Sequence, residues 1–521
     1  MPPVDPPAVH SDRTYRWVGA WSERRARLTP DAVGLRDATT ETSFTYRELD
    51  TRANTTAQLL LNHGVDHGER VAVISRNRPE LVDLFFATGK TGGVLAPLSH
   101  RLAPPEVSAL LGDVDPTLLV VEEPFEDLLE TVLDRSDTEY HGSILALPTE
   151  GRNEWPGVER SRPAEPSPID VDPVALADPH LFLHTGGSTG TPKVTSLTHG
   201  SIYWNSFNTI TAWGLRPDDV TPMVFPMFHT GGWNVLTVPF FHMGATVVIS
   251  REFEPGRVLS HLDEGATVLV AVPAMYRMLT EHEDWPDTDL SDLRFAKSGG
   301  GPCRESVMRE WWERGVDLTQ GYGLTECGPN NFAMPEDWSR NRADSVGTPV
   351  MHVDARIVDD EGSPVEPGSI GELELASPHA AAGYWDRPDE TEATFGGGWV
   401  STGDLARVED GYYFIEGRKK NLFVSGGENV YPAEVENVMA DHPKVDDAVV
   451  IGVPDERWGQ VGKAVIVGDP SLDLDELRSF LEGKLAGFKQ PRHLDIVDEL
   501  PMSGPSKIDR ESIQEQYGTV D

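Results

Sequence analysis

The stretch HTGGSTGTPKVTSLTHG, from His184 to Gly200, holds four glycines, seven hydroxyl side chains and a single lysine. It continues the apolar run LFLHT, so it forms a polar, glycine-rich loop at the end of a buried strand. A Walker loop requires GxxxxGK[ST]. Here GSTGTP separates Gly186 from Lys193, and Val194 follows the lysine, so that spacing fails. What remains can present backbone N–H groups and hydroxyls to a polyphosphate. Glycine suits such a loop because the backbone must approach the anion closely and adopt positive φ. Taken alone, the loop also fits an ordinary polar strand-to-helix turn.

Outward from this loop the chain alternates short apolar strands with helical segments. VAVIS, PELVDLFFATGKTG, VLAPLS, a segment containing EVSALLGDV, and TLLVVEE succeed one another, and the alternation recurs at ATVVIS, RVLSHLDEG and ATVLVAVPA. The fold class expected is therefore α/β, with parallel sheets covered by helices on both faces in a large N-terminal domain. Residues 147–179 turn to Pro, Glu, Asp and Ser and are expected to form a long surface connection. From Ser369 shorter strands and turns (IGELELAS, GWVSTGDL, GYYFIEGR) predict a β-rich subdomain. After GRKKN the texture becomes α+β. The expected division is residues 1–418 and a small C-terminal domain, 419–521, with a boundary at 418–421.

Composition excludes several classes. Hydrophobic residues make up 38% and tryptophans number 13, which rules out a wholly disordered chain. A net charge of −41, from 85 acidic against 44 basic side chains, argues against nucleic acid or an anionic membrane as partner. The acidic residues are spread along the whole length, as on a halophilic surface adapted to concentrated salt. Cys303 and Cys327 are the only cysteines, too few for a disulfide framework or a zinc cluster. A cytoplasmic location is expected, and the N-terminal MPPVDPPAVHSDRTYRW is expected to be a loose lead-in. GGWNVLTVPFFHMGATVVIS is interrupted by Asn234, Pro239 and His242, so it predicts buried helix and strand and no integral membrane segment.

Three further motifs join the loop. QGYGLTECG sets Thr325, a hydroxyl for phosphate, beside Glu326, a hard carboxylate suited to magnesium. STGDL places Asp404 after a tight turn and GRKKN places Arg418 at the predicted boundary, a pair suited to ribose hydroxyls. Each is commonplace alone; their joint order is not.

In these motifs the chain resembles the adenylate-forming (ANL) superfamily of acyl-CoA synthetases, peptide-synthetase adenylation domains and beetle luciferases, over nearly its whole length. TGGSTGTPK resembles the phosphate loop, PMFHTGG the acyl-site histidine segment, SGGGP the adenine-side turn, and YGLTE, STGDL and GRKKN the ATP motifs. SGGENVYPAEVE resembles the segment after the hinge and LPMSGPSKIDR the one carrying the adenylation lysine. The resemblance implies an ATP-dependent acid–CoA ligase with ATP, Mg²⁺ and coenzyme A as cofactors, in which a mobile C-terminal domain serves two half-reactions. Thr185, Gly186, Gly187, Ser188, Thr189, Gly190 and Lys193 would hold the β and γ phosphates, Thr325 the α-phosphate, and Glu326 the metal. Lys507 would offset charge developing at phosphorus. Tyr322 would stack on adenine beside Gly300 and Gly301, Asp404 and Arg418 would hold ribose, and Lys420 would mark the hinge. His229 would line the acyl pocket near the carboxylate. Gly426 and Gly427 would border a pantetheine tunnel, with Trp458, Phe488 and Lys489 contacting CoA. The loop departs from the usual TSGTTG, Asn421 stands where aspartate is common, and PSK replaces TGK; none of these removes a charge that the chemistry needs.

Segments 204–213, 229–238 and 272–276 are expected to build the acyl pocket. Trp204, Phe207, Trp213, Trp233 and Met275 make it apolar, so the expected substrate is a medium- or long-chain fatty acid, with an aryl acid (benzoate or o-succinylbenzoate type) or a carrier-protein-loading adenylation enzyme as alternatives. The partners expected are small molecules, with the chain a monomer or homodimer.

Overall fold

The computed structural model describes residues 17–135, 140–147, 155–166, 169, 173–185, 192–504 and 507–519, the side chains of residues 503, 504 and 507 excepted. Its largest sheet runs, edge to edge, Gly383–Tyr384, Lys193–Thr198, Pro179–Thr185, Val94–Leu98, Arg70–Ile74, Leu118–Glu122 and Ser143–Leu147. The five strands from Pro179–Thr185 to Ser143–Leu147 are parallel, and Lys193–Thr198 turns back antiparallel. Continuous apolar strands demand cover on both faces. Val71 and Val73 face a core containing Leu81 and Phe85 of helix Pro79–Thr91. Ala72 and Ile74 face another containing Val107 and Leu110 of helix Pro104–Val114.

Helix Pro79–Thr91 starts with proline and stops at Gly92 in the left-handed region, φ 77°. It buries even Asp83 and Lys90, which find Arg52 at 2.6 Å and Asp50 at 2.9 Å. A second sheet sets Val33–Asp37, Thr246–Ile249 and Val220–Met223 in parallel. A third comprises Val268–Ala271, Phe295–Ser298 and Leu318–Gln320, also parallel. The segment GGWNVLTVPFFHMGATVVIS folds as a π-helical turn, Gly231–Val235, helix Thr237–Met243 and strand Thr246–Ile249, as its interruptions suggest. Among the described residues no helix is long and apolar enough to cross a membrane.

The β-rich part is an antiparallel sheet of Asp354–Val358, Gly371–Ala376, Val400–Glu409 and Tyr412–Arg418. Its last strand ends at Arg418. After the 3-10 turn Lys419–Asn421, Phe423–Ser425 enters a different sheet with Glu428–Val430, Gly459–Gly468, Val445–Asp455 and His493–Val497, which carries its own apolar clusters. The predicted surface connection is only partly that. Val158, in the short helix Val158–Ser161, is fully buried, and Arg162 reaches Asp83 at 2.8 Å. An apolar anchor and an ion pair sew this stretch to the core where its composition suggested none.

Candidate active site

The phosphate-type loop closes a β-hairpin rather than a strand-to-helix turn. Thr185 and Lys193 are register partners at the open ends of strands Pro179–Thr185 and Lys193–Thr198. Gly186, Gly187, Ser188, Thr189 and Gly190 lie outside the described residues. Thr198 ends the second strand and caps helix His199–Trp213, its hydroxyl accepting from the Ser201 backbone N–H at 3.0 Å. Lys193 Nζ forms an ion pair with Glu390 and lies 4.9 Å from the centroid of the Tyr384 ring.

Opposite stands the YGLTECG turn, which leaves strand Leu318–Gln320. A Cβ at Gly323 would fall 2.2 Å from the Pro329 backbone, so the tight turn admits only glycine there. Thr325 and Glu326 sit at half-buried positions on it. Glu326 accepts through Oε1 from the Tyr384 hydroxyl at 2.9 Å, and its carbonyl accepts from the Ala381 N–H at 2.8 Å. No lysine, arginine or histidine pairs with Glu326 among the described residues. A carboxylate held by a neutral hydroxyl, with acceptor capacity left over, fits a hard divalent cation such as Mg²⁺.

Three distant motifs meet on one carboxylate. The Tyr322 hydroxyl donates to Asp404 Oδ2 at 2.5 Å, and Arg418 Nε forms an ion pair with Asp404 Oδ1 at 2.7 Å. Burial pushes the Asp404 carboxyl above its usual range, opposed by Arg418 and by the phenol. Burial and the Asp404 charge together hold Tyr322 well above an ordinary phenol. Asp404 and Arg418 are thus paired, and the tyrosine that joins them belongs to the expected adenine motif. The glycine turn lies next door: the Gly321 N–H donates to the Ser298 carbonyl at 2.7 Å, and Gly300, at φ 81°, and Gly301 are exposed. A Cβ at Gly301 would meet nothing within 4 Å.

His229 is exposed, 4.6 Å from Phe228 and 6.1 Å from His184, ring to ring. His184 is half-buried and held down to about 3, by desolvation first and by His229 second, and its Nε2 accepts from the Ser99 N–H at 3.1 Å. Of the aromatic residues expected in the acyl pocket, Trp204 and Phe207 are half-buried and in edge contact at 6.0 Å, each near the ring of His352. The others belong to the core. Trp233 is 0% exposed, stacked on Phe85 at 4.9 Å, and donates to the Met227 carbonyl. Trp213 packs edge-on to Phe295 with Lys297 over its ring, and Met275 joins the cluster around Trp311.

In the C-terminal part, Gly426 and Gly427 form the turn between Phe423–Ser425 and Glu428–Val430 at φ 63° and 87°. A Cβ on Gly426 would lie 2.5 Å from Trp458, whose carbonyl accepts from the Gly426 N–H at 2.9 Å. Trp458 packs against Arg457 and Arg492, and Phe488 lies on the apolar cluster of this unit. Lys489 Nζ is held by both oxygens of Glu434, at 2.6 and 2.7 Å, and Lys420 meets Glu511 at 3.0 Å. The Lys507 backbone pairs with Gly504 in the short ladder of Met502–Gly504 and Lys507–Ile508; its side chain lies outside the described residues. Sequence reasoning missed Tyr384 and Glu390, although GYW and PDE stand in the chain between YGLTECG and STGDL.

A phosphate-type hairpin, a carboxylate turn and a ribose-type Asp–Arg pair around one region define an ATP-using, adenylate-forming enzyme. The family described as AMP-binding enzyme matches residues 22–385, and its C-terminal domain matches residues 434–507. The chain is 36% identical over 505 residues to a feruloyl-CoA synthase of Amycolatopsis sp, covering 96% of this chain and 99% of that one. It is 35% identical over 507 residues to an indoleacetate–CoA ligase of Aromatoleum aromaticum, covering 96% and 98%. The crystal structure of ATP-bound MatB from Rhodopseudomonas palustris superposes with a TM-score of 0.89 at 29% identity, over 97% of this chain and 99% of that one. The chain belongs to the AMP-binding, adenylate-forming family. It is an acid–thiol ligase, and ligases of this family use ATP, Mg²⁺ and CoA.

Proposed function

We propose that the protein converts an aryl-substituted carboxylic acid to its CoA thioester through an acyl-AMP intermediate. The carrying observation is the convergence of Tyr322 and Arg418 on the Asp404 carboxylate, next to the Glu326, Tyr384 and Lys193 group. In the first half-reaction a carboxylate oxygen attacks the α-phosphorus of ATP and pyrophosphate leaves. In the second the CoA thiol attacks the acyl carbonyl and AMP leaves. Thr185, the loop from Gly186 to Gly190 and Lys193 hold the terminal phosphates, Thr325 the α-phosphate, and Asp404 with Arg418 the ribose. Tyr322, Gly300 and Gly301 border the base, and Lys507 neutralises charge at phosphorus in the first step. Glu326 would hold Mg²⁺, which when bound offsets phosphate charge.

Residues 418–421 are the hinge between residues 1–418 and 419–521, with Lys420 at its centre. Gly426, Gly427, Trp458, Phe488 and Lys489 form the thiol-donor side. An aryl acid is favoured over the fatty acid first expected, for two reasons. Trp213, Trp233 and Met275 are taken up by the core, which leaves Trp204 and Phe207 as the half-buried rings, both near His352. Among relatives similar along nearly their whole length, two at 36% and 35% identity are named for feruloyl and indoleacetate substrates, and one at 30% for long-chain fatty acids. A salt-adapted surface agrees with the −41 net charge.

The test is CoA thioester formation across ferulate, indoleacetate, benzoate, octanoate, palmitate and acetate at graded salt. Preference for octanoate or palmitate restores the fatty-acid expectation, and a demand for carrier protein in place of free CoA refutes the thioester reading.

A further inference from the structure

We propose that Tyr384 is a positioning residue for adenylation: its hydroxyl fixes the Glu326 carboxylate for the divalent cation while its ring carries Lys193. The proposal rests on the roles assigned above to Glu326 and Lys193. Residues 381–385 lace those two groups together. The Ala381 N–H donates to the Glu326 carbonyl at 2.8 Å, and the N–H groups of Ala382 and Trp385 donate to the carbonyls of Ser196 at 2.9 Å and Val194 at 2.8 Å. Gly383 and Tyr384 pair with Ser196 and Thr195 on the strand that Lys193 begins. One short segment therefore sets the separation between the carboxylate turn and the phosphate lysine.

Tyr384 is itself held rigidly. Its N–H donates to Thr391 Oγ1 at 2.9 Å, Thr391 Oγ1 donates back to its carbonyl at 3.2 Å, and its ring meets Phe395 edge-on at 5.6 Å. Gly383 permits this approach, at φ 135°, because a Cβ there would fall 2.4 Å from Thr391. A glutamate carboxyl otherwise turns freely about its last torsion. The phenol takes one lobe of Oε1, leaving Oε2 for another partner. Removing a hydroxyl or carbonyl that orients a metal ligand from behind typically costs about 10–100-fold in metal affinity. Helix Pro388–Phe395 also brings Glu390 into an ion pair with Lys193, whose Nζ lies 4.9 Å from the centroid of the Tyr384 ring.

The discriminating variant is Tyr384→Phe, which keeps the ring against Phe395 and beneath Lys193 and deletes only the hydroxyl. Mn²⁺ binding to the full chain with α,β-methylene-ATP, read by electron paramagnetic resonance, is expected to weaken roughly tenfold. The Mg²⁺ concentration for half-maximal pyrophosphate exchange rises by the same factor, whereas thioester formation from supplied acyl-AMP holds its rate. The unfolding midpoint without nucleotide stays at the wild-type value, and the rise in midpoint on adding Mn²⁺ and the analogue shrinks. Unchanged Mn²⁺ affinity, or equal loss in both half-reactions, overturns the proposal. Glu326→Gln separates the two levels. If it abolishes Mn²⁺ binding while Tyr384→Phe does nothing, only the tyrosine's role falls; if it binds Mn²⁺ normally, the Glu326 assignment falls and the proposal with it.

Discussion

Asp404→Asn tests the ribose assignment with almost no change of shape. In the native site the carboxylate takes Tyr322 at 2.5 Å and Arg418 at 2.7 Å, and both oxygens keep a second lone pair for a ligand hydroxyl. Asparagine retains one acceptor oxygen but turns a donor toward either Tyr322 or Arg418. The phenol can accept from that amide, so Oδ1 should face Arg418. A charged acceptor contributes about 1.5–3 kcal/mol to a hydrogen bond against about 1 for a neutral one. Losing one ribose hydroxyl contact and weakening the other costs about 3 kcal/mol, and at 1.4 kcal/mol per decade that is roughly a hundredfold. The Arg418 guanidinium, 51% exposed, keeps Oδ1 and can also hydrate, and Thr402 lies within reach of Tyr322, so the fold should survive. ATP–pyrophosphate exchange with ATP and with 2′-deoxy- and 3′-deoxy-ATP supplies the assay. The expected result is a hundredfold lower kcat/KM for ATP together with loss of discrimination against one of the deoxy analogues. If the variant stays within threefold of wild type and still discriminates against both, Asp404 does not hold the ribose.

Lys507→Ala should depress acyl-AMP formation by about 10²–10³-fold or more, the scale for removing a donor to a developing charge. Thioester formation from supplied acyl-AMP should be nearly intact, and stopped-flow measurement of each half-reaction distinguishes this from equal loss of both. Acid should destabilise the fold well before its carboxylates titrate. Burial holds His180 and His184 to about 3 and His242 and His379 to about 4, so each stays neutral when folded but binds a proton when unfolded below the ordinary histidine value near 6.5. The unfolded chain therefore gains protons first, and stability present above pH ~6.5 falls progressively as pH drops toward the folded values, by up to about 1.4 kcal/mol per pH unit per histidine. Urea unfolding at pH 7.5, 6.5 and 5.5 checks this; a flat midpoint across that range would refute it.

What the sequence disclosed and what it hid divide along a physical line. Runs such as VAVIS and TLLVVEE are buried on both faces, so hydrophobicity alone marks them as interior strands, and STGDL meets GRKKN because Asp404 and Arg418 are register partners on neighbouring strands of one hairpin. Whether an aromatic side chain lines a pocket or fills a core depends on a partner far along the chain. Trp233 is taken out of the acyl site by Phe85, which stacks on it from another helix, and nothing in GGWNV distinguishes that outcome from a pocket wall. Tyr384 was invisible for a similar reason. Gly383–Tyr384 is too short to show any period, and its place is dictated by the strand beginning at Lys193 and by Thr391. Gly426 was legible in identity but not in cause. A narrow tunnel for a thiol calls for glycine, and so do a left-handed hairpin turn and a Trp458 ring 2.5 Å from the Cβ position. The local demands already exclude every other residue, so glycine at 426 is not evidence for the tunnel. That assignment has to rest on the thiol-donor half-reaction itself.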